Sequence, residues 1–277
     1  MGTSASSNGP LGGVSFDPPW LDDIEIPSHA TQPDPQNDPS NDVQEEPTTQ
    51  DIVAPQRRFK SARQSLGNYA RSGNRESLRK AIGHYSKTGM GGARNVAKRM
   101  RVSTRTAVTL YDILKSAREG TDQVIREWVS SLIARKATIG EIIDEIIAKV
   151  TPNGGSIDES ACRNSMDSAI RDLITRDPEV NLFNISDDNI WSLIESFLGY
   201  EAFNRLCLDI GQSFEQSSLS PRDKVTRMNE MHDYLAAEIY EQLESLRQKN
   251  QTDTSSQLNS ILQDALANTF FVYEGAL

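Results

Sequence analysis

The chain has 277 residues, of which 36% are hydrophobic and 25% charged, and its formal net charge is −10. This length can supply the core of one or two domains, but the apolar content is low for a chain that folds from end to end. No stretch approaches the roughly 18 apolar residues that cross a bilayer, and the N-terminus lacks a basic start with an apolar run, so we expect a cytoplasmic protein with no membrane segment.

Charge divides the chain into three regions. Residues 1–55 contain ten acidic residues and no Lys or Arg, so this segment accounts for the whole net charge. Residues 56–105 contain fourteen Lys or Arg and the single acid Glu76, whereas residues 137–277 contain ten bases and twenty-four acids. An acidic tail is therefore followed by a basic segment and then by an acidic one.

Residues 1–55 also hold nine of the twelve prolines. Such a segment cannot bury enough apolar surface to offset the entropy lost on ordering, so we predict a disordered acidic tail. Its exception lies near residues 18–26, where Pro18, Pro19, Trp20 and Leu21 open a short apolar stretch among acids. This composition is typical of a docking motif, and either a partner protein or the chain's own body is a possible occupant.

From Arg57 onward the apolar spacing predicts helices. Two short basic helices are expected on either side of Gly73, followed by a loop at residues 89–92 and two helices divided near residues 101–103. A helix is expected over 121–135, and Thr138 with Glu141 forms a capping-box pattern before a regular stripe of isoleucines.

Residues 152–155, Pro-Asn-Gly-Gly, predict a break that could divide the body into a basic subdomain, 56–151, and an acidic subdomain, 156–277. Beyond it we expect helices at 157–176, 187–199 and 200–215, a long helix from Pro221 with an apolar seam, and a final amphipathic helix. The seam is predicted at Val225, Met228, His232, Leu235, Ile239, Leu243 and Leu246. No strand pair is evident, so the fold class is all-α, an irregular multi-helix bundle preceded by the tail.

No constellation of residues indicates catalysis, and we expect a protein that is not an enzyme. The three histidines lack metal-ligand neighbours at helical spacing, the two cysteines are far apart, and no phosphate-binding loop motif is present. We therefore expect no metal site and no bound cofactor.

The basic segment 57–105 is the strongest physical indication of binding. Its side chains could line a surface for phosphates, which makes a nucleic-acid-binding helical module the alternative function. An acidic protein partner, or the chain's own acidic tail, would suit the same charge. The face is represented by Arg58, Arg63, Arg71, Arg79, Lys98 and Arg99.

The N-terminus offers a possible modification site. A small second residue normally permits removal of Met1, which would leave the α-amine of Gly2, and no lysine precedes Lys60. An α-amine titrates near ~7.7–8.0 and a lysine near ~10.4, so the α-amine is the more available nucleophile at neutral pH. The same start fits N-myristoylation, with Ser6 in place, and it also fits an ordinary unstructured N-terminus.

Several stretches together resemble the QatB family of the bacterial Qat anti-phage defence system. The resemblance is densest over residues 1–20 and 57–115. It is carried by Met1-Gly2-Thr3-Ser4, Gly9-Pro10, Gly12-Gly13, Pro18-Pro19-Trp20, Arg58-Phe59, Ala62-Arg63, Leu66-Gly67, Tyr69-Ala70-Arg71-Ser72-Gly73, Gly83-His84-Tyr85, Gly89, Gly91-Gly92 and Ala97-Lys98-Arg99-Met100.

The resemblance implies a non-catalytic subunit encoded beside a QatA-like ATPase, a QueC-like ligase (QatC-like) and a TatD-like nuclease. QueC enzymes activate a carboxylated deazaguanine with ATP and then accept a nitrogen nucleophile. The resemblance to this family therefore implies a covalent deazaguanine on Gly2, with the small residues Thr3 and Ser4 recognised by the ligase.

Overall fold

The computed structural model describes residues 57–151, 157–249, 255–275 and 277, and within them the protein is all-α, as predicted. A π-helical turn, Tyr85–Gly89, follows the second helix. The helices are α1 (Lys60–Ser72), α2 (Arg75–His84), α3 (Ala93–Arg99), α4 (Arg101–Glu119), α5 (Gln123–Ala134), α6 (Ile139–Val150), α7 (Ile157–Arg176), α8 (Asp187–Ile210), α9 (Gln212–Glu215), α10 (Pro221–Lys249) and α11 (Ser255–Glu274).

The first two helices are separated by local signals that the sequence displays. Gly73 adopts a left-handed conformation, with φ 68°, and its N–H bonds the carbonyl of Tyr69, which ends α1. Asn74 then caps α2 by accepting a hydrogen bond from the N–H of Glu76 at 2.8 Å. The predicted stop at Gly73 is therefore confirmed.

The predicted capping box of α6 is also confirmed. The Thr138 hydroxyl accepts from the Glu141 N–H at 3.3 Å, and a Glu141 carboxylate oxygen accepts from the Thr138 N–H at 2.7 Å. These bonds lower the pKa of Glu141, because they favour its charged form. The division between α3 and α4 falls at Met100, slightly before the predicted residues 101–103.

The prediction of two helices at 187–199 and 200–215 is wrong, because α8 runs without a break from Asp187 to Ile210. Gly199 does not end a helix. It is buried at a close contact, where an added Cβ would lie 3.0 Å from the Cβ of Ala236 on α10. The short α9 then begins after Gly211.

The long helix α10 begins at Pro221 as predicted, but the predicted seam is only partly correct. Its buried row is Met231, Leu235, Ile239 and Leu243, whereas Val225 is 58% exposed. Val225 lies six residues before Met231, which places it about 120° away around the helix.

Residues 58–277 form one compact unit with a continuous hydrophobic core. In this unit α8 packs against α4, α7 and α10, while α11 packs against α2, α3, α4 and α10. Helices on either side of residues 152–156 thus contribute to the same core, and the predicted break itself lies outside the described residues. No helix in the described ranges is both long enough and apolar enough to cross a membrane.

Candidate functional site

The six basic residues selected from the sequence lie in different surroundings. Lys98 is exposed on α3, and Arg79 is half-buried on α2. The guanidinium of Arg58 lies over the ring of Phe59, with its Cζ 4.9 Å from the ring centroid. These three side chains therefore differ in exposure and in their contacts.

Arg99 forms an ion pair inside the molecule. Its Nη2 donates to Oδ1 of Asp209 at 3.1 Å and its Nη1 donates to Oδ2, while the Tyr85 hydroxyl donates to Oδ2 at 2.9 Å. The two charged side chains are only 13% and 14% exposed. Burial and the Asp209 charge raise the pKa of Tyr85, so this hydroxyl remains a donor. Arg99 thus joins α3 to α8 and contributes little to the exposed basic face.

Arg63 and Arg71 lie together in a groove of about 370 Å³ between α1 and α9, which we call the α1–α9 groove. Its side chains carry guanidinium, amide and hydroxyl groups, and none carries a carboxylate. The groove is lined by Arg63, Gln64, Gly67, Arg71, Gln212, Ser213, Gln216 and Ser217.

Both guanidinium groups donate hydrogen bonds to neighbouring groups, and each keeps further N–H donors for a ligand. Nη2 of Arg63 donates to the Asp209 carbonyl oxygen at 2.9 Å, and Nη2 of Arg71 donates to Oδ1 of Asn68 at 2.6 Å. Each guanidinium has five N–H donors. Within the described residues neither arginine forms an ion pair, so both keep their full positive charge for a ligand.

An apolar contact holds α9 beside α1. Phe214 is 3% exposed, and its ring meets that of Tyr69 edge-on, with the centroids 6.2 Å apart. Across the groove the Ser213 hydroxyl donates to the Arg63 carbonyl oxygen at 3.0 Å. The sequence analysis missed this groove because its α9 side consists of ordinary Gln and Ser residues without a motif.

A second groove, of about 280 Å³, lies on the other side of Tyr69, between α2 and α10. It carries acidic groups, since Glu230 and Asp233 line it together with Arg75. The Tyr69 hydroxyl donates to Oε2 of Glu230 at 3.0 Å, and Arg227 pairs with the same oxygen at 2.7 Å. These bonds lower the pKa of Glu230. This second groove thus carries two carboxylates, in contrast to the α1–α9 groove.

The nucleophilic side chains of the body are held in unreactive states. Burial raises the pKa of Cys162 to about 12 and that of Cys207 to about 12, so both are neutral thiols near pH 7. Burial, together with Lys80 and Lys87, lowers the pKa of His84. In the part of the chain that the structure describes, no three His, Cys, Asp or Glu side chains are grouped to hold a metal ion.

A buried polar network joins three helices and has no signature in the sequence. Glu201 on α8 is fully buried, and its carboxylate accepts hydrogen bonds from Ser103 on α4 and from Ser165 on α7, the latter at 2.9 Å. Arg205 lies one turn further, with Nη2 at 3.6 Å from Glu201. Glu201 and Arg205 are 0% and 2% exposed, and neither lines either of the two grooves described above.

The residues that the sequence assigned to the tail lie outside the described residues. These are the modification site Gly2, the ligase-recognition residues Thr3 and Ser4, and the docking motif Pro18, Pro19, Trp20 and Leu21.

Comparison with known protein families identifies a match. The family described as Qat anti-phage system associated protein QatB matches residues 91–273, which is about two thirds of the chain. No curated protein and no solved structure matches.

Proposed function

The chain belongs to the QatB family of the Qat anti-phage system, and from this premise we propose that it is a non-catalytic, cytoplasmic subunit whose N-terminal glycine is modified. The modifying enzyme is a QueC-like ligase, and the group transferred is a deazaguanine. The observation that carries the proposal is the family match over residues 91–273. Two free cysteines agree with a reducing compartment.

The chemistry favours the α-amine of Gly2 over side-chain amines. An α-amine titrates near ~7.7–8.0, so a substantial fraction is neutral and nucleophilic at pH 7.5, whereas a lysine near ~10.4 is almost fully protonated. The first lysine of the sequence is Lys60, at the start of α1. The α-amine is thus the only amine within the first 59 residues.

The proposed transfer joins two groups and releases one. The ligase activates the carboxyl group of a carboxylated deazaguanine with ATP. The neutral Gly2 amine attacks the activated carbonyl carbon, an amide C–N bond forms, the leaving group departs with its bonding electrons, and the nitrogen loses a proton. The small side chains of Thr3 and Ser4 would allow this segment to enter a narrow active site.

Mass spectrometry tests the proposal. The protein is purified alone and after coexpression with the QueC-like ligase, and its intact mass and N-terminal peptide are compared. We expect the mass of one deazaguanine acyl group, with loss of water, on the peptide that begins with Gly2. An unmodified N-terminal peptide after coexpression would refute it.

Two substitutions at position 2 sharpen this test. Gly2→Ala keeps a small residue and a free α-amine after Met1 is removed, so it separates the need for an amine from the need for glycine. Gly2→Leu keeps Met1 in place, so the α-amine then belongs to a large residue, and the adduct should be lost because the ligase accepts only a small N-terminal segment. An adduct of the same mass on a lysine of Gly2→Leu would show that the enzyme does not select the N-terminus.

We also propose that the helical body, residues 58–277, binds the QatA-like ATPase and the ligase, with the TatD-like nuclease as a further partner. The family match covers most of this body and leaves out the tail, which supports a role of the body in assembly. Copurification of each partner with the chain, before and after Gly2→Leu, tests it. Equal copurification in both cases is expected, because assembly and modification would then use different parts of the chain.

A second candidate function is nucleic-acid binding through residues 57–105. Arg94, Lys98 and Arg105 are exposed on α3 and the start of α4, and they favour this alternative. A surface that neutralises several phosphates loses affinity steeply as salt rises, whereas an interface with an apolar core loses much less. Titration of a labelled single-stranded DNA at 50 and 200 mM salt separates the two.

A further inference from the structure

The α1–α9 groove has an unusual lining that the proposed function above does not use. Two guanidinium groups, three amides and two hydroxyls line it, and no carboxylate or large apolar side chain does. Such a lining offers hydrogen-bond donors and positive charge to an anion and little to an apolar group. We propose that this groove binds an acidic peptide segment of a partner protein through carboxylates bound to Arg63 and Arg71.

The separation of the two arginines guides the choice of ligand. Arg63 and Arg71 are eight residues apart on α1, which is about 12 Å along the helix axis. The Arg71 guanidinium turns back along the helix, since it donates to Asn68 and its Nη1 lies 3.8 Å from the position of a Cβ added at Gly67. Four residues of an extended peptide span about 13 Å, and residues four apart point to the same side. Two acidic residues at positions i and i+4 are thus far enough apart to reach both guanidinium groups.

The surroundings favour a short peptide over a nucleic acid. A nucleic-acid strand needs positive charge along a continuous path of phosphates. Here two arginines supply the positive charge of the groove, and Tyr69, which contacts Phe214 of α9, also lines the second groove with the carboxylates of Glu230 and Asp233. A continuous phosphate backbone would approach those carboxylates, whereas a peptide can place neutral residues there.

The inference does not depend on modification of Gly2. Its probe is a fluorescein-labelled peptide of eleven residues with aspartates at positions 2, 6 and 10 among Ser, Asn and Gly. A matched peptide with asparagine at those positions is the control ligand. The chain's own Asp34, Asp38 and Asp42 have the same spacing in the sequence. Peptide binding is therefore measured with the full chain and with a triple variant, Asp34→Asn with Asp38→Asn and Asp42→Asn. In the triple variant these three aspartates cannot compete with the peptide for the groove.

Two variants of the groove are compared with one matched control. Arg63→Gln with Arg71→Gln removes both charges, and Gly67→Met fills the groove without changing charge. The Cβ of the new methionine fits without a clash, because a Cβ at Gly67 would lie 3.8 Å from Nη1 of Arg71 and 4.0 Å from the Cβ of Ser213. The control, Arg94→Gln with Lys98→Gln, removes two exposed charges from α3. Circular dichroism checks that all variants fold.

We expect fluorescence anisotropy to show that the aspartate peptide binds and the asparagine peptide does not. The double arginine variant and Gly67→Met should each weaken binding at least about fivefold, while the α3 control stays within about twofold. Equal losses in the groove variants and the α3 control would overturn the proposal, since they indicate non-specific attraction. Tighter, groove-dependent binding of single-stranded DNA than of the peptide would overturn it in favour of a phosphate ligand.

Discussion

Asp209 is the residue at which α3, α8 and the π-helical turn meet. Its carboxylate binds Arg99 and the Tyr85 hydroxyl, and its carbonyl oxygen accepts from Arg63. The pairing partners are 110 and 124 residues away in sequence. No local sequence pattern indicates a contact between residues so far apart in the chain. Arg99 was therefore predicted to lie on the basic surface.

Removal of the Asp209 carboxylate should be costly. Asp209→Ala leaves the largely buried Arg99 charge without its carboxylate partner, and we expect the free energy of unfolding to fall by about 2–4 kcal/mol. Urea unfolding followed by circular dichroism measures it. Glu76→Ala is the control, because its pair with Lys80 is exposed at 3.8 Å and should cost at most about 0.5 kcal/mol. Similar losses in both variants would contradict a special role for Asp209.

Glu195 on α8 gives the body a pH dependence near neutrality. Burial and the charge of Glu244 raise the pKa of Glu195 to about 7, against the opposing effect of Arg247 and Arg176. The unfolded chain titrates near ~4.3, so between these values the native state holds the proton more tightly. Stability contributed by this group is therefore present below about pH 4 and declines as the pH rises to 7.

Glu195→Gln removes this decline. Between pH 4.5 and pH 8 we expect the free energy of unfolding to fall by about 1–2 kcal/mol more in the wild type than in the variant. Urea unfolding at each pH measures it. The exposed Glu241 on α10 offers the control substitution Glu241→Gln. If the Glu195→Gln and wild-type stabilities fall in parallel, the assignment of the pH dependence to Glu195 is wrong.

At the scale of elements, α2 and α11 are held close by a glycine. A Cβ at Gly83 would lie 2.5 Å from the backbone oxygen of Tyr273, which cannot move aside as a flexible side chain would. Gly83→Ala should therefore lower the free energy of unfolding by about 2–3 kcal/mol. At Gly140, on α6, an added Cβ meets nothing within 4 Å, so Gly140→Ala should stabilise by about 0.4–1 kcal/mol. Thermal unfolding of the two variants tests the opposite signs.

The elements also show what the sequence could predict. The limits of α1, α2 and α6 follow from caps at Gly73, Asn74 and Thr138, which act over a few residues and can be recognised in any sequence. Gly199 is also a glycine, the residue type that often ends a helix, but here it lies inside α8 and contacts Ala236 on α10. Local signals therefore predicted the ends of helices well and failed where packing decides.

The candidate site was predictable only in part, for the same reason. Arg63 and Arg71 were selected from charge alone, and both do line the α1–α9 groove. The other wall, from Gln212 to Ser217, lies some 150 residues later and is positioned by Phe214 packing on Tyr69. Charge composition can identify a basic helix, but only tertiary packing makes a groove of it.

At the scale of the molecule, the positive and negative charges of residues 56–277 are equal in number but occupy different regions. The chain has 29 Lys and Arg and 39 Asp and Glu, and ten of the acids fall in residues 1–55, so residues 56–277 carry 29 acids against 29 bases. Fourteen of those bases lie in residues 56–105 beside one acid. A body without net charge can thus still attract acidic partners, in a manner that weakens as salt rises.

Packing across residues 152–156 predicts how the body unfolds. Because α11 packs on α2, α3 and α4, and α8 packs on α4, loss of either set of helices would expose the core of the other. We therefore expect residues 58–277 to unfold in one cooperative transition. Circular dichroism follows all helices, while Trp128 on α5 and Trp191 on α8 report by fluorescence once Trp20→Phe has removed the third tryptophan. The two signals should share one midpoint, and Gly83→Ala should shift both equally, although it lies on α2. Two fluorescence transitions, of which Gly83→Ala shifts only the one from Trp128, would instead show two subdomains that unfold independently.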